Sequence, residues 1–98
     1  MTEKNTIISE INTYINKFGK PYSAWYIGIA TNPKERLFSD HCVMEKGGYW
    51  IYRTANTDTI AREIEKIFLD AGATGGPSGG DEKTCSVYAY LITNTTVE

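Results

Sequence analysis

The residues of this chain best suited to chemistry fall in one stretch, Trp25-Tyr26-Ile27-Gly28-Ile29-Ala30-Thr31-Asn32-Pro33-Lys34-Glu35-Arg36-Leu37-Phe38-Ser39-Asp40-His41. It reads as a short apolar strand, a tight exit at Gly28, and a capped helix carrying Arg36 and His41. A strand that delivers a tyrosine to its end, followed by a helix that presents a cation, is a compact way to build a phosphate-facing site. Each of these groups also has a structural use. Tyr26 suits the core of a sheet. Arg36 can pair with Asp40 one turn on, and His41 can line the end of its helix.

The elements that must position these groups follow from hydrophobic periodicity. Ile7, Ile8, Ile11, Ile15 and Phe18 recur at helical spacing, opposite Ser9, Glu10, Asn12, Asn16 and Lys17. Gly19 supplies a left-handed cap and Pro21 blocks continuation, which predicts an amphipathic packing helix. Residues 22–30 are aromatic, β-branched and uncharged, which predicts a strand. Its Trp25-Tyr26-Ile27 core reads as buried on both sides, and so as central in its sheet. Asn32 can cap the next helix, Pro33 suits its first position and Glu35 completes a capping box. Leu37 and His41 then share a face, and the helix runs to just before Gly47-Gly48.

Tyr49-Trp50-Ile51-Tyr52-Arg53-Thr54 predicts a second strand. Thr57-Asp58-Thr59 opens a third helix, with an apolar stripe of Ile60, Ala61, Ile64, Ile67, Phe68 and Ala71 and a close at Gly72. Glu65 falls at the edge of that stripe beside Ala61 and Leu69, and Glu63 on the opposite edge. A solvated glutamate is the plain reading of Glu65. Gly75-Gly76-Pro77-Ser78-Gly79-Gly80-Asp81 supports no regular element. A surface loop or a nest of anion-binding glycine amides both fit it. Residues 85–93 alternate in part and predict a third strand. The sum is one α+β domain over 1–98: a small three-stranded mixed or antiparallel sheet flanked by three helices.

Composition narrows the classes. A chain of 98 residues with 41% hydrophobic side chains suits one globular domain. A net charge of -2 lacks the footprint of a dedicated nucleic-acid binder, while leaving room for a local cationic patch. No run approaches the ~20 apolar residues of a membrane span, so no membrane partner is expected. Met1-Thr2-Glu3-Lys4-Asn5 has no signal-peptide pattern. Cys42 and Cys85 lack CxxC spacing and read as free thiols of a cytoplasmic protein. The single histidine argues against structural zinc, which takes about four Cys or His ligands.

Tyr26-Ile27-Gly28, the capped helix with Arg36 and His41, and the later Ala61 and Glu65 together resemble the GIY-YIG nuclease family. The resemblance covers about residues 25–69 and implies metal-dependent phosphodiester cleavage of DNA or RNA. It implies that Glu65 holds a divalent ion, usually Mg2+, that Tyr26 or His41 helps activate water, and that Arg36 balances phosphate charge. Those roles suit the groups. A carboxylate is a hard oxygen ligand for magnesium, and a guanidinium pairs with non-bridging oxygens. The family's GIY tripeptide precedes its YIG strand, and no GIY stands there in this chain. The C-terminal strand is expected to take that place beside residues 22–30, with Tyr88 or Tyr90 as the missing tyrosine. The alternative is a non-catalytic nucleic-acid- or protein-binding module on the same scaffold, in which Trp25, Tyr49, Trp50 and Tyr52 are available for stacking.

Overall fold

The computed structural model of the protein describes residues 4–44, 46, 48–75, 84–93 and 96. Its elements run α1 (Lys4–Asn16), β1 (Trp25–Ala30), α2 (Pro33–Glu35), β2 (Trp50–Thr54), α3 (Asp58–Asp70) and β3 (Ser86–Leu91). The order of helix and strand follows the periodicity of the sequence. The three strands form one antiparallel sheet in the order β1-β3-β2, so the fold is α+β. Most of the 75–81 loop, where an anion nest was one reading, lies outside the described residues.

The sheet has two differently furnished faces, set by the two-residue period of its strands. Trp25, Ile27, Ile29, Ile51, Val87, Ala89 and Leu91 point to one side. There α1 presents Ile7, Ile11 and Ile15, and α3 presents Ala61, Ile64 and Phe68. Each such aliphatic side chain, fully buried, contributes roughly 1.5–3 kcal/mol. Tyr26, Ala30, Tyr88 and Tyr90 point to the other side, against Leu37 and Val43, with Phe38, Trp50 and Tyr52 at its margin. One face is thus aliphatic, while the other is tyrosine-rich and carries hydroxyls.

Several expectations need correction. β1 is not central; β3 is. β1 is nevertheless buried throughout, because helices cover both of its faces and the chain after α3 seals its outer edge. There the Ile27 N–H donates to the Thr74 carbonyl and the Thr74 N–H to the Trp25 carbonyl, both at 2.9 Å. Burial on two faces therefore came from layering, not from a middle position. β1 also starts later than residue 22. Tyr22–Ala24 form a 3-10 turn closed by the Ala24 N–H on the Pro21 carbonyl at 3.0 Å, and the Tyr22 hydroxyl donates to Asn12 on α1. Gly28 lies inside the strand and is not its exit.

The stripe of α3 is narrower than its sequence pattern. Ile67 and Ala71 are exposed, while Glu65 is buried at 6% exposure. At about 100° per residue, the side of α3 that faces the sheet is centred between Ala61 and Phe68. Glu65 lies within it and Ile67 on its flank. Thr57 caps this helix by accepting the Ile60 N–H. Gly19 and Gly72, at φ 68° and 117°, take the left-handed conformation their sequence positions suggested.

Candidate functional site

The helix that carries Arg36 starts as its sequence dictates and ends otherwise. Asn32 caps it by accepting the Glu35 N–H at 3.3 Å, and Pro33 fills the first turn, where its missing N–H costs nothing. The chain does not continue as α-helix to Gly47. Arg36–Asp40 widen into a single π-helical turn, closed by the His41 N–H on the Arg36 carbonyl at 2.9 Å. Such turns are rare and recur at functional sites. In an α-helix, residues five apart diverge by about 140°. In the π turn they are joined by one hydrogen bond, while Leu37 and His41 both bury on the inner side, as their spacing suggested, and Arg36 stays exposed. Cys42 then reverses the chain at φ 55°.

This turn lies over the tyrosine face of the sheet, where the groups converge on Tyr88. The register sets Tyr88 opposite Gly28 and Tyr90 opposite Tyr26. Tyr88 Oη lies 2.8 Å from Nε2 of His41, and Tyr90 Oη lies 3.1 Å from its Nδ1. His41 is 4% exposed, with its ring centre 4.7 Å from that of Tyr26. Tyr26 in turn stacks on Tyr90 at 5.2 Å. The Arg36 guanidinium is half-exposed, and its interaction with Tyr88 is the main reason its pKa rises above the ordinary arginine value. Arg36 also pairs with Asp40 at 3.5 Å, as the i,i+4 spacing allowed.

Electrostatics single out Tyr88 further. Its hydroxyl is pushed up to about 12, chiefly by burial, with Tyr26 and Glu65 adding to the rise and Arg36 opposing it. The phenol is therefore held neutral at ordinary pH. The influence of Glu65 reaches Tyr88 from α3, although α3 packs on the opposite face of the sheet. The structure brings Tyr26, Arg36, His41 and Tyr88 to the tyrosine face of the sheet, whereas Glu65 belongs to α3 on the other face and reaches Tyr88 only as the weakest electrostatic influence on it. Glu63, on the opposite edge of the stripe, is half-exposed and pairs with Lys4 at 3.6 Å.

Among the described residues, no group of three or more His, Cys, Asp or Glu side chains gathers to hold a metal. Glu65 is the one buried carboxylate among the described residues. That suits a magnesium ion, which keeps most of its water shell and needs only one or two carboxylates. A groove of about 380 Å³ lies elsewhere, between α1 and β2, lined by Glu10, Tyr14, Lys17 and Arg53 among others. It shares no residue with the Tyr88 cluster, and the Glu10–Arg53 ion pair at 3.1 Å occupies its polar side.

No family model matches this chain, and neither a curated protein nor a solved structure does. Among the described residues, no helix is long and apolar enough to cross a membrane.

The sequence pointed to Tyr90 only as a substitute for Tyr88. Its place on the second ring nitrogen of His41 was not foreseen. The signal was present in Tyr88-Ala89-Tyr90, since residues two apart on a strand share a face. The stacking candidates divide. Trp25 is fully buried on the aliphatic face, and Tyr49 is exposed outside β2. Trp50 and Tyr52 stay half-buried on the tyrosine face, their rings parallel within 7°.

Proposed function

We propose that the protein is a divalent-metal-dependent phosphodiesterase that cleaves DNA or RNA, with chemistry like that of the GIY-YIG nucleases. The observation that supports this most is the buried Tyr88 hydroxyl, 2.8 Å from Nε2 of His41 and under the electrostatic influence of Arg36 and Glu65. A neutral phenol bonded to an imidazole is a proton-accepting pair for an attacking water, an arrangement worth about 10²–10⁴-fold in rate. Arg36, half-exposed beside it, can donate to a non-bridging phosphate oxygen as charge develops there. Tyr26 packs against His41 at a tilt of 48°, with ring centres 4.7 Å apart. Glu65 would hold Mg2+, which supplies Lewis-acid stabilisation of the phosphoryl oxygens. The placement of Tyr88 on a strand beside β1 supports the expectation that the C-terminal strand substitutes for the missing tripeptide.

Magnesium-dependent nicking of plasmid or single strands tests the reading. Activity should fall in Tyr88→Phe, Arg36→Ala and Glu65→Gln. Wild-type protein that never cleaves would remove it.

The second reading, a non-catalytic binding module, draws on the net charge of -2 and on how completely the tyrosines enclose His41. A salt-sensitive mobility shift of nucleic acid without cleavage would favour it, because phosphate binding weakens steeply with salt.

A further inference from the structure

We infer that the groove between α1 and the outer edge of β2 is a docking site for an extended acidic peptide segment, which adds to β2 as a fourth strand. The sheet order leaves β2 at an edge, and among the described residues no strand pairs with its outer side. The phase of the ladder says which groups face outward. The Leu91 N–H donates to the Tyr49 carbonyl at 2.9 Å, and the Ala55 N–H to the Cys85 carbonyl at 2.8 Å. Bonded and non-bonded positions alternate in an antiparallel pair. The backbone groups of Ile51 and Arg53 therefore face β3, and those of Tyr52 and Thr54 face away from it.

Helix α1 walls this edge. Glu10, Tyr14 and Lys17 fall within about 60° of one another around the helix axis. They lie on the flank opposite Asn12, which meets Tyr22 on the other side. With Ile51 and Arg53 they line the groove of about 380 Å³. An edge strand beside a helix suits strand addition, in which backbone bonds give affinity and alternate side chains give specificity.

The charges of the groove select its occupant. It holds two cations, Lys17 and Arg53, and one acid, Glu10. Arg53 Nε donates to Glu10 at 3.1 Å and Nη1 donates to the Tyr52 carbonyl at 2.8 Å, so Arg53 covers one outward acceptor of the empty edge. Lys17 is exposed and belongs to no ion pair among the described residues. An incoming strand whose N–H takes the Tyr52 carbonyl releases Nη1, and a carboxylate opposite Arg53 receives it. α1 runs against β2, with Glu10 at Arg53 and Phe18 at Tyr49, which sets Lys17 near the Ile51 end. A second acid, two positions along, would point to that end. Side chains alternate along a strand, so the residues between the acids fall beside Trp50 and Tyr52 and should be apolar. The β2 strand of a second copy, Trp50–Thr54, carries a cation and no acid, and so matches this groove poorly.

The probe is a capped hexapeptide of alternating valine and glutamate, titrated into the ¹⁵N-labelled full chain. The Tyr52 and Thr54 amides should shift saturably and exchange their hydrogens more slowly. A capped valine–lysine hexapeptide should not bind. Two exposed substitutions should act with opposite signs. Glu10→Gln removes the acid that competes for Arg53 and should tighten the probe, and Lys17→Gln should weaken it, each by about 2–5-fold, the scale of an exposed ion pair. Absence of saturable shifts at millimolar glutamate probe overturns the proposal, as does equal binding of the lysine probe or weaker binding by Glu10→Gln. Concentration-dependent dimerisation through the same amides without probe also overturns it, by making a second copy the occupant.

Discussion

The hydroxyl of Tyr88 lies directly over Gly28, its cross-strand partner: a Cβ at position 28 would stand 2.5 Å from Oη and 2.6 Å from Cζ. Glycine is needed there for space rather than for backbone freedom, since its φ is not in the left-handed region. The missing side chain of β1 is the slot that lets the Tyr88 ring lie across the sheet toward Arg36 and His41. Gly28→Ala should therefore displace Tyr88 and destabilise the fold by about 1–3 kcal/mol, as overpacking does. Urea denaturation would measure the stability loss, and the His41 nitrogen signals would report the lost contact. An alanine variant as stable as wild type with unchanged His41 signals would contradict this packing.

Alkaline titration gives a second prediction. The Tyr88 hydroxyl sits at about 12, against about 10 for an ordinary tyrosine. Between those values the unfolded chain loses this proton while the folded chain keeps it. Its contribution to stability is therefore complete below pH ~10 and is lost as pH rises toward ~12, on the order of 2–3 kcal/mol in all. Tyr14 is also raised by burial, so the comparison must be with Tyr88→Phe. The tyrosinate absorbance of wild type should contain one late step that this variant lacks.

Arg36 has two partners, and they can be separated. Its pair with Asp40 is half-exposed on both sides and one turn apart, worth about 0.3–0.5 kcal/mol. Asp40→Asn should leave thermal stability and cleavage near wild type. Arg36→Ala should lower the rate about 10²–10³-fold, the scale for removing one donor to developing charge. Because the guanidinium opposes the rise at Tyr88, the same variant should move the late tyrosine step to still higher pH.

The alternation of β3 and the edge position of Glu65 on α3 were legible in the sequence, because both follow from fixed periods of 2 and 3.6. What the period could not say is how α3 is rolled. Ile67 is the more apolar flank, yet Glu65 took the inner side, where Ala61, Ile64 and Phe68 pack tightest. The π turn left no mark either, since Arg36-Leu37-Phe38-Ser39-Asp40 has an unremarkable helical composition and the widening is settled by where Leu37, His41 and Val43 bury. The position of β1 was misread because an uncharged strand covered by helices on both faces looks the same at an edge as in the middle.

Glu65 offers the sharpest separation of structure from chemistry. Its charge raises the Tyr88 hydroxyl, so Glu65→Gln, which keeps the size and loses the charge, should shift the late tyrosine step to lower pH. That holds with no metal or substrate present. If Glu65 also holds magnesium, the variant should lose the magnesium response of cleavage, by at least about 10²-fold, while its fold remains intact by circular dichroism. Glu65→Ala should be less stable than Glu65→Gln, since it opens a cavity beside Ala61 as well. A Glu65→Gln protein that leaves the tyrosine titration unchanged would place the carboxylate too far from Tyr88 to serve the same reaction.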